Sequence, residues 1–570
     1  MRIFYSRQRR AISRILTIIV IVLIAVVAVA AYEIFAPSTV SNHHPQGKVL
    51  VAIRNAQTSD MDPRETSSID VVQNVYDRLT LVEPNQTVVP QLALSWTSAN
   101  NYTQWTFKLR QGVTFHDGTP FNSTAVVFSI TNTAHLGQGD APDVWNGLAS
   151  VAAVDPYTVQ INWTFPANVP AIVGAGYSAF IFSPHIWTYS GVKAGNETGL
   201  SFWFGRYHDD GSGPYIIVTN ESAFATGITL WANTKYWGGW QPNQFSQVFI
   251  KFVSQPNTAV QLLQSGQVNM TGISGNFQFL PSLRAQGVVA DPATSFATIW
   301  CLFNTRHPLL DSSVVRRALL TAVNYGQVLN QSFYGYGHLF SGGINPGKFG
   351  YSSSVPGYPA QGNITEAKAL LRSVGITGGL NASWVVTYST GSPFLAIAAQ
   401  VLQTNWAPLG VTLSIQGTDF ASLSIKAGYY NSATKTVFSP GPLSYASSSQ
   451  AQDILLLNWV GTTNDPWLVP NELFAIQPDP YENDILYNWS YWHNSTYTTL
   501  LQQAHIDEAL NPPRSIQEFA KSNLMLYQGA PGWALYGEKT VLALGPHVKG
   551  YVANPNYGFA YPFWYQMYYG

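Results

Sequence analysis

Cysteine and charge are both scarce in this chain of 570 residues. Cys301 is the only cysteine, and charged residues make up 10% of the sequence. One cysteine cannot form an intrachain disulfide, so the fold must be stabilised by burial of apolar side chains. The formal net charge is only −1, which argues against a nucleic-acid-binding protein. Polarity is supplied largely by amides and hydroxyls, which do not lose charge in acid, and this composition would suit acidic surroundings.

Motifs of the common hydrolases and metalloenzymes are absent: there is no H-E-x-x-H, C-x-x-C or G-x-S-x-G. Gly342–Lys348 has the spacing of a phosphate-binding loop, but Phe349 stands where Ser or Thr should bind magnesium. His43–His44 is an unsupported pair and makes a poor metal site. The adjacent acids Asp209–Asp210 and Asp507–Glu508 are expected to point apart on a solvated surface. The sequence therefore predicts no enzyme, cofactor or metal site.

A long apolar run lies near the N-terminus. Ile15 to Ala31 contains no charge and no proline, which is typical of a membrane-spanning helix. Five arginines and no acid precede it, and positive flanks stay on the cytoplasmic side. We predict an anchor over 1–36, a polar linker over 37–47, and an extracellular position for the remaining chain at the cell membrane.

Two other interpretations of the N-terminus stay open. A cleaved secretory signal peptide is one, although its apolar core would usually span about 7–15 residues. Alternatively, Arg9 to Ser13 resembles archaeal class III, pilin-like signals, which are cut here between Ala11 and Ile12 and keep the apolar helix on the mature protein. No cysteine directly follows the run, so a lipid-anchored cysteine is excluded.

N-glycosylation sequons are frequent, as expected of an exterior glycoprotein. Their asparagines are Asn85, Asn101, Asn122, Asn162, Asn196, Asn220, Asn269, Asn330, Asn363, Asn381, Asn488 and Asn494.

Hydrophobic periodicity alternates between strand and helix patterns, which indicates an α/β or α+β chain. Strands are predicted at Val49–Ile53, Trp105–Leu109 and Val411–Ile415. Helices are predicted at Ser68–Leu79, Asn122–Asn132, Val314–Leu329, Thr365–Val374 and Ser392–Trp406. The stretch from Gly428 to Gln452 is rich in Ser, Ala, Gly and Pro and predicts a long surface loop.

An ordered series of short motifs runs from about residue 50 to 550. Its members are Met61-Asp62-Pro63, Val75–Leu79, Leu92–Trp96, Trp105–Leu109, Gly112–Pro120, Phe121–Phe128, Gly211–Tyr215, Asn233–Trp237, Leu262–Asn269, Asn304, Asp311, Val315–Leu319, Ala367–Gly375 and Trp459–Pro466. Together they resemble the signature of ABC-transporter extracellular solute-binding proteins of the peptide/nickel type, family 5.

This resemblance implies a two-lobed periplasmic-binding-protein-like fold (class II, cluster C) with an extra domain inserted in lobe one. Lobe one would comprise 48–84, 205–290 and 535–570, the extra domain 85–204, and lobe two 291–534. Such proteins close over a small-molecule ligand by hinge bending and deliver it to ABC transporter permease subunits. A membrane tether would raise the receptor's concentration near the permease.

The resemblance also suggests ligand-binding residues. In peptide-binding members an acid in the last motif binds the α-amine of the ligand, and Thr462 occupies that position here. A hydroxyl cannot supply the charge-assisted pairing that a buried ammonium needs. Trp459 matches an aromatic residue of the cleft, and Asp465 the later acid of the motif. Phe420 falls near another aromatic position, beside Asp419.

Several functions stay open. A neutral oligosaccharide is the first expectation for the ligand and an oligopeptide the second, followed by an opine, a nickel chelate or a lipid. A surface-layer or adhesion protein on the same fold is an alternative, as is an extracellular glycosidase, whose paired acids could come from distant segments.

Overall fold

The computed structural model describes residues 47–427, 430–431, 436–437, 451–476, 488–557 and 561–570, apart from 56, 59, 66, 67, 138 and 274. The predicted anchor, nearly all of the linker, and most of the predicted loop at 428–452 lie outside these residues. Within the described part, no helix has the length and apolar character needed to span a membrane.

The strands and helices alternate along the chain. The strands are β1 Lys48–Arg54, β2 Thr80–Val82, β3 Val88–Pro90, β4 Ala93–Ala99, β5 Gln104–Leu109, β6 Leu148–Asp155, β7 Thr158–Trp163, β8 Tyr215–Ile217, β9 Gly227–Ala232, β10 Phe245–Phe252, β11 Met270–Gly272, β12 Pro292–Phe303, β13 Gly337–His338, β14 Ala382–Ser389, β15 Val411–Thr418, β16 Tyr430–Asn431, β17 Thr436–Val437, β18 Ile454–Trp459, β19 Gly532–Leu544, β20 Val548–Lys549 and β21 Tyr568–Tyr569. The helices are α1 Ile69–Val72, α2 Ser123–Leu136, α3 Ala141–Trp145, α4 Val169–Ile172, α5 Ile186–Ser190, α6 Glu197–Phe204, α7 Pro256–Gln264, α8 Leu280–Ala285, α9 Ser313–Ala322, α10 Tyr325–Phe333, α11 Ile364–Ser373, α12 Pro393–Trp406, α13 Phe420–Lys426, α14 Leu468–Phe474, α15 Ser495–Leu510 and α16 Pro512–Gly529.

The main sheet is continuous, with the strand order β15-β14-β18-β12-β19-β11-β1-β10-β9-β8. Its two long central strands, β12 and β19, run antiparallel from Pro292 opposite Val541 to Leu302 opposite Gly532. The last part of β12 pairs with β18, whereas the last residues of β19 pair with β11. These two strands therefore connect the strands predicted for lobe two (β14, β15 and β18) with those predicted for lobe one (β1 and β8 to β11).

Burial explains why β12 holds this central position. From Ser295 to Phe303 every residue of β12 is buried, so both faces of the strand are covered. A near-continuous apolar run is typical of strands covered on both faces.

Three hydrophobic clusters form around the sheets, and the predicted two-lobed α/β fold is confirmed. The first cluster includes Trp300, Leu402 and Leu501 from the segment predicted for lobe two, and it also takes in Ile53 and Leu280 from segments predicted for lobe one. The second cluster includes Leu50 and Tyr215. A third cluster packs on a separate four-stranded sheet of order β4-β5-β7-β6. We call this sheet with α2, α3 and α4 the small-sheet unit.

Two predicted helices differ from the structure. The segment predicted as a helix from Ser68 is helical only over Ile69–Val72, after which the chain turns and Asp77 bridges to Ile181. The helix predicted over Val314–Leu329 is two helices, because the second begins at its own cap. Asn324 there accepts a hydrogen bond from the backbone N–H of Gln327.

The family-like motifs of the first half meet at Asp77. Its carboxylate accepts hydrogen bonds from Gln91 Nε2 at 2.7 Å, Trp237 Nε1 at 2.8 Å and Ser212 Oγ at 3.0 Å. Ser212 and Trp237 belong to two separate motifs, and Gln91 directly precedes a third, so one buried acid ties these three segments together. These hydrogen bonds join segments predicted for lobe one to the start of the small-sheet unit.

Several sequon asparagines have a structural role in the described chain. Asn122, Asn196, Asn363 and Asn494 each cap a helix by accepting a hydrogen bond from a backbone N–H of the first turn. Asparagine is a favoured cap residue. Helix capping therefore explains asparagine at these four positions without any glycosylation.

Candidate functional site

The last motif forms the end of β18 and the loop that follows it. The Trp459 indole N–H donates to Glu472 Oε2 at 2.5 Å. The centre of its ring lies 5.6 Å from that of Trp489, and the centre of the Phe420 ring lies 6.3 Å from that of Trp489. The structure thus brings Trp459 and Phe420, both predicted site residues, against one shared aromatic neighbour.

Thr462 is buried in the loop after Trp459. The residue is 7% exposed, and within the described chain its hydroxyl oxygen has no hydrogen-bond partner. The same holds for Oδ1 of Asn464, two residues on. Buried polar atoms are normally paired, so each of these oxygens lacks one interaction that a ligand or water could supply.

Asp419 has a local structural partner. Its carboxylate accepts hydrogen bonds from Ser422 N at 2.9 Å and Ser422 Oγ at 2.6 Å at the start of α13. It is exposed, and Phe420 next to it is 48% exposed. Phe420, Trp489 and Trp459 form a row of rings that we call the aromatic series. Asp419 and Phe420 lie at its exposed end.

Asp465 lines a different feature, a cavity of about 280 Å³. One side of this cavity comes from Gln86 and the region of α4, and the other from lobe two. Its lining residues are Gln86, Asn168, Ala171, Ile172, Phe349, Thr463, Asn464, Asp465, Pro466, His505 and Glu508.

His505 joins the two acids of this cavity. Its Nδ1 lies 3.1 Å from Asp465 Oδ2 and 3.3 Å from Glu508 Oε1, and its ring stacks on Trp467 at 4.7 Å. Burial acts to lower the pKa of His505, but Asp465 and Glu508 outweigh it and raise this pKa to about 10. Burial acts to raise the pKa of Asp465, but His505 holds that pKa below its ordinary value. The pKa of Glu508 rises to about 8 through burial and the neighbouring Asp465.

The same three side chains could contribute ligands to a cation, because their ligand atoms lie within 4.8 Å of one another. A metal ion would have to displace the proton of His505. Lys348 places another positive charge nearby: burial lowers its pKa to about 8, and Asp465, Glu472 and Glu508 oppose that shift. The negative charge of the acids at this site is therefore already offset by the proton on His505 and by Lys348.

Sequence reasoning missed most partners of the motif, among them Glu472, Trp489, His505 and Lys348. It did single out the adjacent acids, but the prediction that they lie on a solvated surface is wrong. Asp210 is 0% exposed and Asp507 4% exposed, and Glu508 faces His505. The local sequence does not show which distant residues surround these acids.

Comparisons with known proteins agree with this architecture. A model of the family described as bacterial extracellular solute-binding proteins, family 5 Middle, matches residues 87–478. This match covers well over half of the chain, so the chain belongs to that family. Its members are solute-binding proteins, which confirms the prediction that the chain is not an enzyme.

The individual relatives have low sequence identity to this chain. The glutathione-binding protein GsiB of Escherichia coli O1:K1 / APEC is 24% identical over 525 residues, covering 90% of this chain and 93% of the relative. The periplasmic binding protein DppA from Helicobacter pylori, in complex with the peptide STSA, has a TM-score of 0.73 at 20% identity and covers 92% of this chain and 98% of that one. NikZ from Campylobacter jejuni, in complex with Ni(L-His), has a TM-score of 0.73 at 19% identity and covers 91% and 99%. At these identities the structures show a shared fold.

Proposed function

We propose that this family 5 member is the extracytoplasmic receptor of an ABC importer that captures a small, uncharged polar solute, an oligosaccharide in the first instance, between its lobes. The receptor delivers the solute to a membrane permease. The N-terminal apolar run tethers the receptor to the membrane. The predicted lobe boundaries belong to the same proposal. The relatives' ligands differ in kind, since GsiB is named for glutathione and NikZ holds Ni(L-His), so the ligand has to be inferred from this chain's own site.

The buried hydroxyl of Thr462 is the observation that carries the proposal. An α-ammonium taken out of water needs a carboxylate, and Thr462 can offer only a neutral oxygen. Asp465, the nearest acid in the motif, is already paired with His505. A hydroxyl or amide of a neutral ligand can satisfy both Thr462 Oγ1 and Asn464 Oδ1 without a buried charge.

The aromatic series supports a sugar ligand. Aromatic side chains present large apolar faces, and Tyr and Trp add a polar handle. Trp459 and the half-exposed Phe420 offer such faces beside the Thr462 loop. Trp459→Ala should weaken ligand binding by roughly 1–3 kcal/mol, the scale of a lost ring contact and its burial.

A ligand screen tests the proposal. Thermal shift and calorimetry on the full-length protein would compare neutral di- to hexasaccharides with peptides that carry a free or an acetylated N-terminus. We expect saccharide binding that changes little with salt, because no ion pair is there to be screened. Tight binding of free peptides with rejection of their acetylated forms would contradict the proposal and assign the amine to an acid such as Asp465 or Asp419.

A charge-introducing variant sharpens this screen. Thr462→Asp should weaken saccharide binding, because a carboxylate buried without a cation costs several kcal/mol, and should improve binding of free peptides. Thr365→Asp is the matched control, since Thr365 is exposed in the first turn of α11, where an acid is tolerated. If no solute of either class stabilises the protein, the adhesion or surface-layer function replaces the receptor.

A further inference from the structure

Acidic residues are missing from three long stretches of the chain. No Asp or Glu occurs in 34–59, 222–290 or 539–570, although the whole chain has 29 of them. The same three stretches contain seven lysines and arginines. They are therefore positively charged in a chain whose formal net charge is −1.

The structure brings these stretches together where β1 begins. The ammonium of Lys48, the first residue of β1, lies 4.3 Å from the centre of the Tyr569 ring. The ring of His547 stacks on the same Tyr569 ring, with 5.0 Å between the ring centres. Tyr568 forms a bridge to Gln244, just before β10, and β10 is the neighbour of β1 in the main sheet. One surface thus receives residues from all three acid-free stretches.

The short strands β20 and β21 expose a lysine and a tyrosine on this surface. Val548 lies opposite Tyr569 in this pair of strands, and Lys549 lies opposite Tyr568. Successive side chains of a strand point to opposite faces. Val548 is buried in a hydrophobic cluster, whereas Lys549 is exposed and Tyr568 is 44% exposed. We call Lys48, His547, Lys549, Tyr568 and Tyr569 the basic aromatic face.

The charges of this face are not neutralised within the described part of the chain. Neither Lys48 nor Lys549 forms an ion pair there within 4.0 Å. Lysine carries three N–H donors, which suit the oxygens of a phosphate group. Tyrosine rings are enriched where lipid meets water, because one end of the ring is apolar and the other polar. The face therefore complements the anionic headgroup layer of a membrane.

The chain also enters the described structure at this face. The predicted anchor ends at residue 36, and 37–47, a segment of 11 residues, connects it to Lys48. Even when fully extended, a segment of this length spans at most about 40 Å. The connection therefore keeps the basic aromatic face, and no more distant surface of the molecule, close to the end of the anchor.

We propose that the basic aromatic face docks on anionic lipid headgroups, with Lys48 and Lys549 on the lipid phosphates and the rings of Tyr568 and Tyr569 at the boundary with the acyl chains. The docked receptor is held in one orientation on the membrane and does not tumble freely on its linker. This inference rests on the tether of the proposed function, but not on the identity of the solute.

The full-length protein on lipid vesicles provides the test. Vesicles of phosphatidylcholine alone are compared with vesicles that also contain phosphatidylglycerol, which is anionic. Flotation measures retention on each, and energy transfer from a protein dye to a dye on the lipid headgroups measures docking. The protein dye is placed on Val552→Cys, near the face, or on Val374→Cys in the segment predicted for lobe two. Both positions are exposed, and Cys301 is buried and protected from labelling.

We expect stronger transfer from position 552 than from position 374 on anionic vesicles, and a loss of this difference at high salt, which screens the lysines. Lys48→Gln combined with Lys549→Gln should lower the ratio of docked to free receptor by about fivefold for each lysine removed. Lys368→Gln combined with Lys521→Gln is the matched control. It removes the same charge from exposed positions on α11 and α16 and should leave the ratio unchanged.

The outcomes separate the docking face from the tether. Retention on both kinds of vesicle with equal transfer from the two positions would keep the tether and overturn the docking face. Retention on anionic vesicles alone, lost in the Lys48 and Lys549 variant, would keep the face and overturn the tether. Retention on neither kind would overturn both. Because the vesicles contain only lipid, a missing signal would also assign the face to a protein partner such as the permease.

Discussion

Arg64 and Glu472 are both almost completely buried, but the charges around them differ in kind. The guanidinium of Arg64 donates to both oxygens of Asp62, at 2.9 and 2.6 Å, and also pairs with Glu197. Burial acts to lower the pKa of Arg64, but Asp62 and Glu197 outweigh it and the pKa is raised. In this region buried acids are neutralised by a permanent cation.

Around Glu472 the acids meet other acids. Burial raises the pKa of Glu472 well above its ordinary value, and Asp143 adds to the shift. Burial raises the pKa of Asp143 to about 7 and that of Asp140 to about 8. The two regions show that a protein can neutralise a buried carboxyl group with an arginine or with a proton, and only the second solution depends on pH in the range near neutrality.

The largest expected effect is on global stability as pH changes. Burial raises the pKa of Glu538 and Asp210 to about 8 each, in addition to Asp140 and Asp143. An acid whose folded pKa is raised binds more protons when folded, so its stabilisation is complete below its unfolded pKa and is lost as pH rises through the folded value. The free energy of unfolding should therefore fall between about pH 4.5 and pH 8, by roughly 1.4 kcal/mol per pH unit for each such group.

Urea unfolding at several pH values checks this expectation. The raised pKa of His505 acts in the same direction between about 6.5 and 10, whereas Asp465, with its lowered pKa, stabilises above its unfolded pKa and loses that contribution in acid. Stability should peak near pH 4 to 5. A maximum at pH 8 would mean that the acids around Glu472 and Glu538 are not protonated in the folded protein.

Removing the arginine should produce the next largest effect. Arg64→Met leaves Asp62 and part of Glu197 without their cation, which should cost about 3–5 kcal/mol of unfolding free energy at pH 7. Part of the loss should be recovered at pH 4, because the freed acids can then take up protons. A loss that is equally large at both pH values would indicate that packing of the side chain, and not its charge, stabilises this region.

Trp459→Phe should have a smaller effect in the acid-rich region. It keeps a ring but removes the N–H that donates to Glu472, a loss of about 1–3 kcal/mol for a buried carboxyl group. Trp237→Phe is the matched control, because its indole donates to Asp77, which retains Gln91 and Ser212 as donors. If the control loses more stability than Trp459→Phe, the indole is not an important partner of Glu472.

The fold could be predicted from sequence to a large extent because the informative motifs are local. Motifs such as Val75–Leu79 and Gly211–Tyr215 carry the family resemblance, and the structure shows why they matter: they meet around Asp77. Element boundaries were less predictable where a cap or a turn overrode periodicity. Val323–Asn324 shows this, since Asn324 starts a new helix inside an unbroken apolar pattern.

The candidate site was less predictable, because it depends on contacts between distant parts of the chain. The motif directed attention to Trp459, Thr462 and Asp465, and their assignment to ligand binding stays a prediction. Nothing local indicates that the charge of Asp143 acts on Glu472, since each acid alone has the pattern of an ordinary surface residue on a short helix. Such a pairing arises only when two separately packed units meet, and sequence periodicity does not predict which of their residues come together.

The smallest expected effect comes from an ion pair that is fully accessible to water. Arg284 lies 3.8 Å from Asp291, and their side chains are 45% and 85% exposed. Water screens such a pair, so Arg284→Met should change the unfolding free energy by only about 0.5 kcal/mol at pH 7, including the loss of its hydrogen bond to the carbonyl of Ala290. Parallel urea unfolding of this variant and of Arg64→Met measures what burial adds to the same chemical change. If both variants lose similar stability, burial is not what distinguishes the Arg64 cluster, and the contrast with the acids around Glu472 would have to rest on the proton alone.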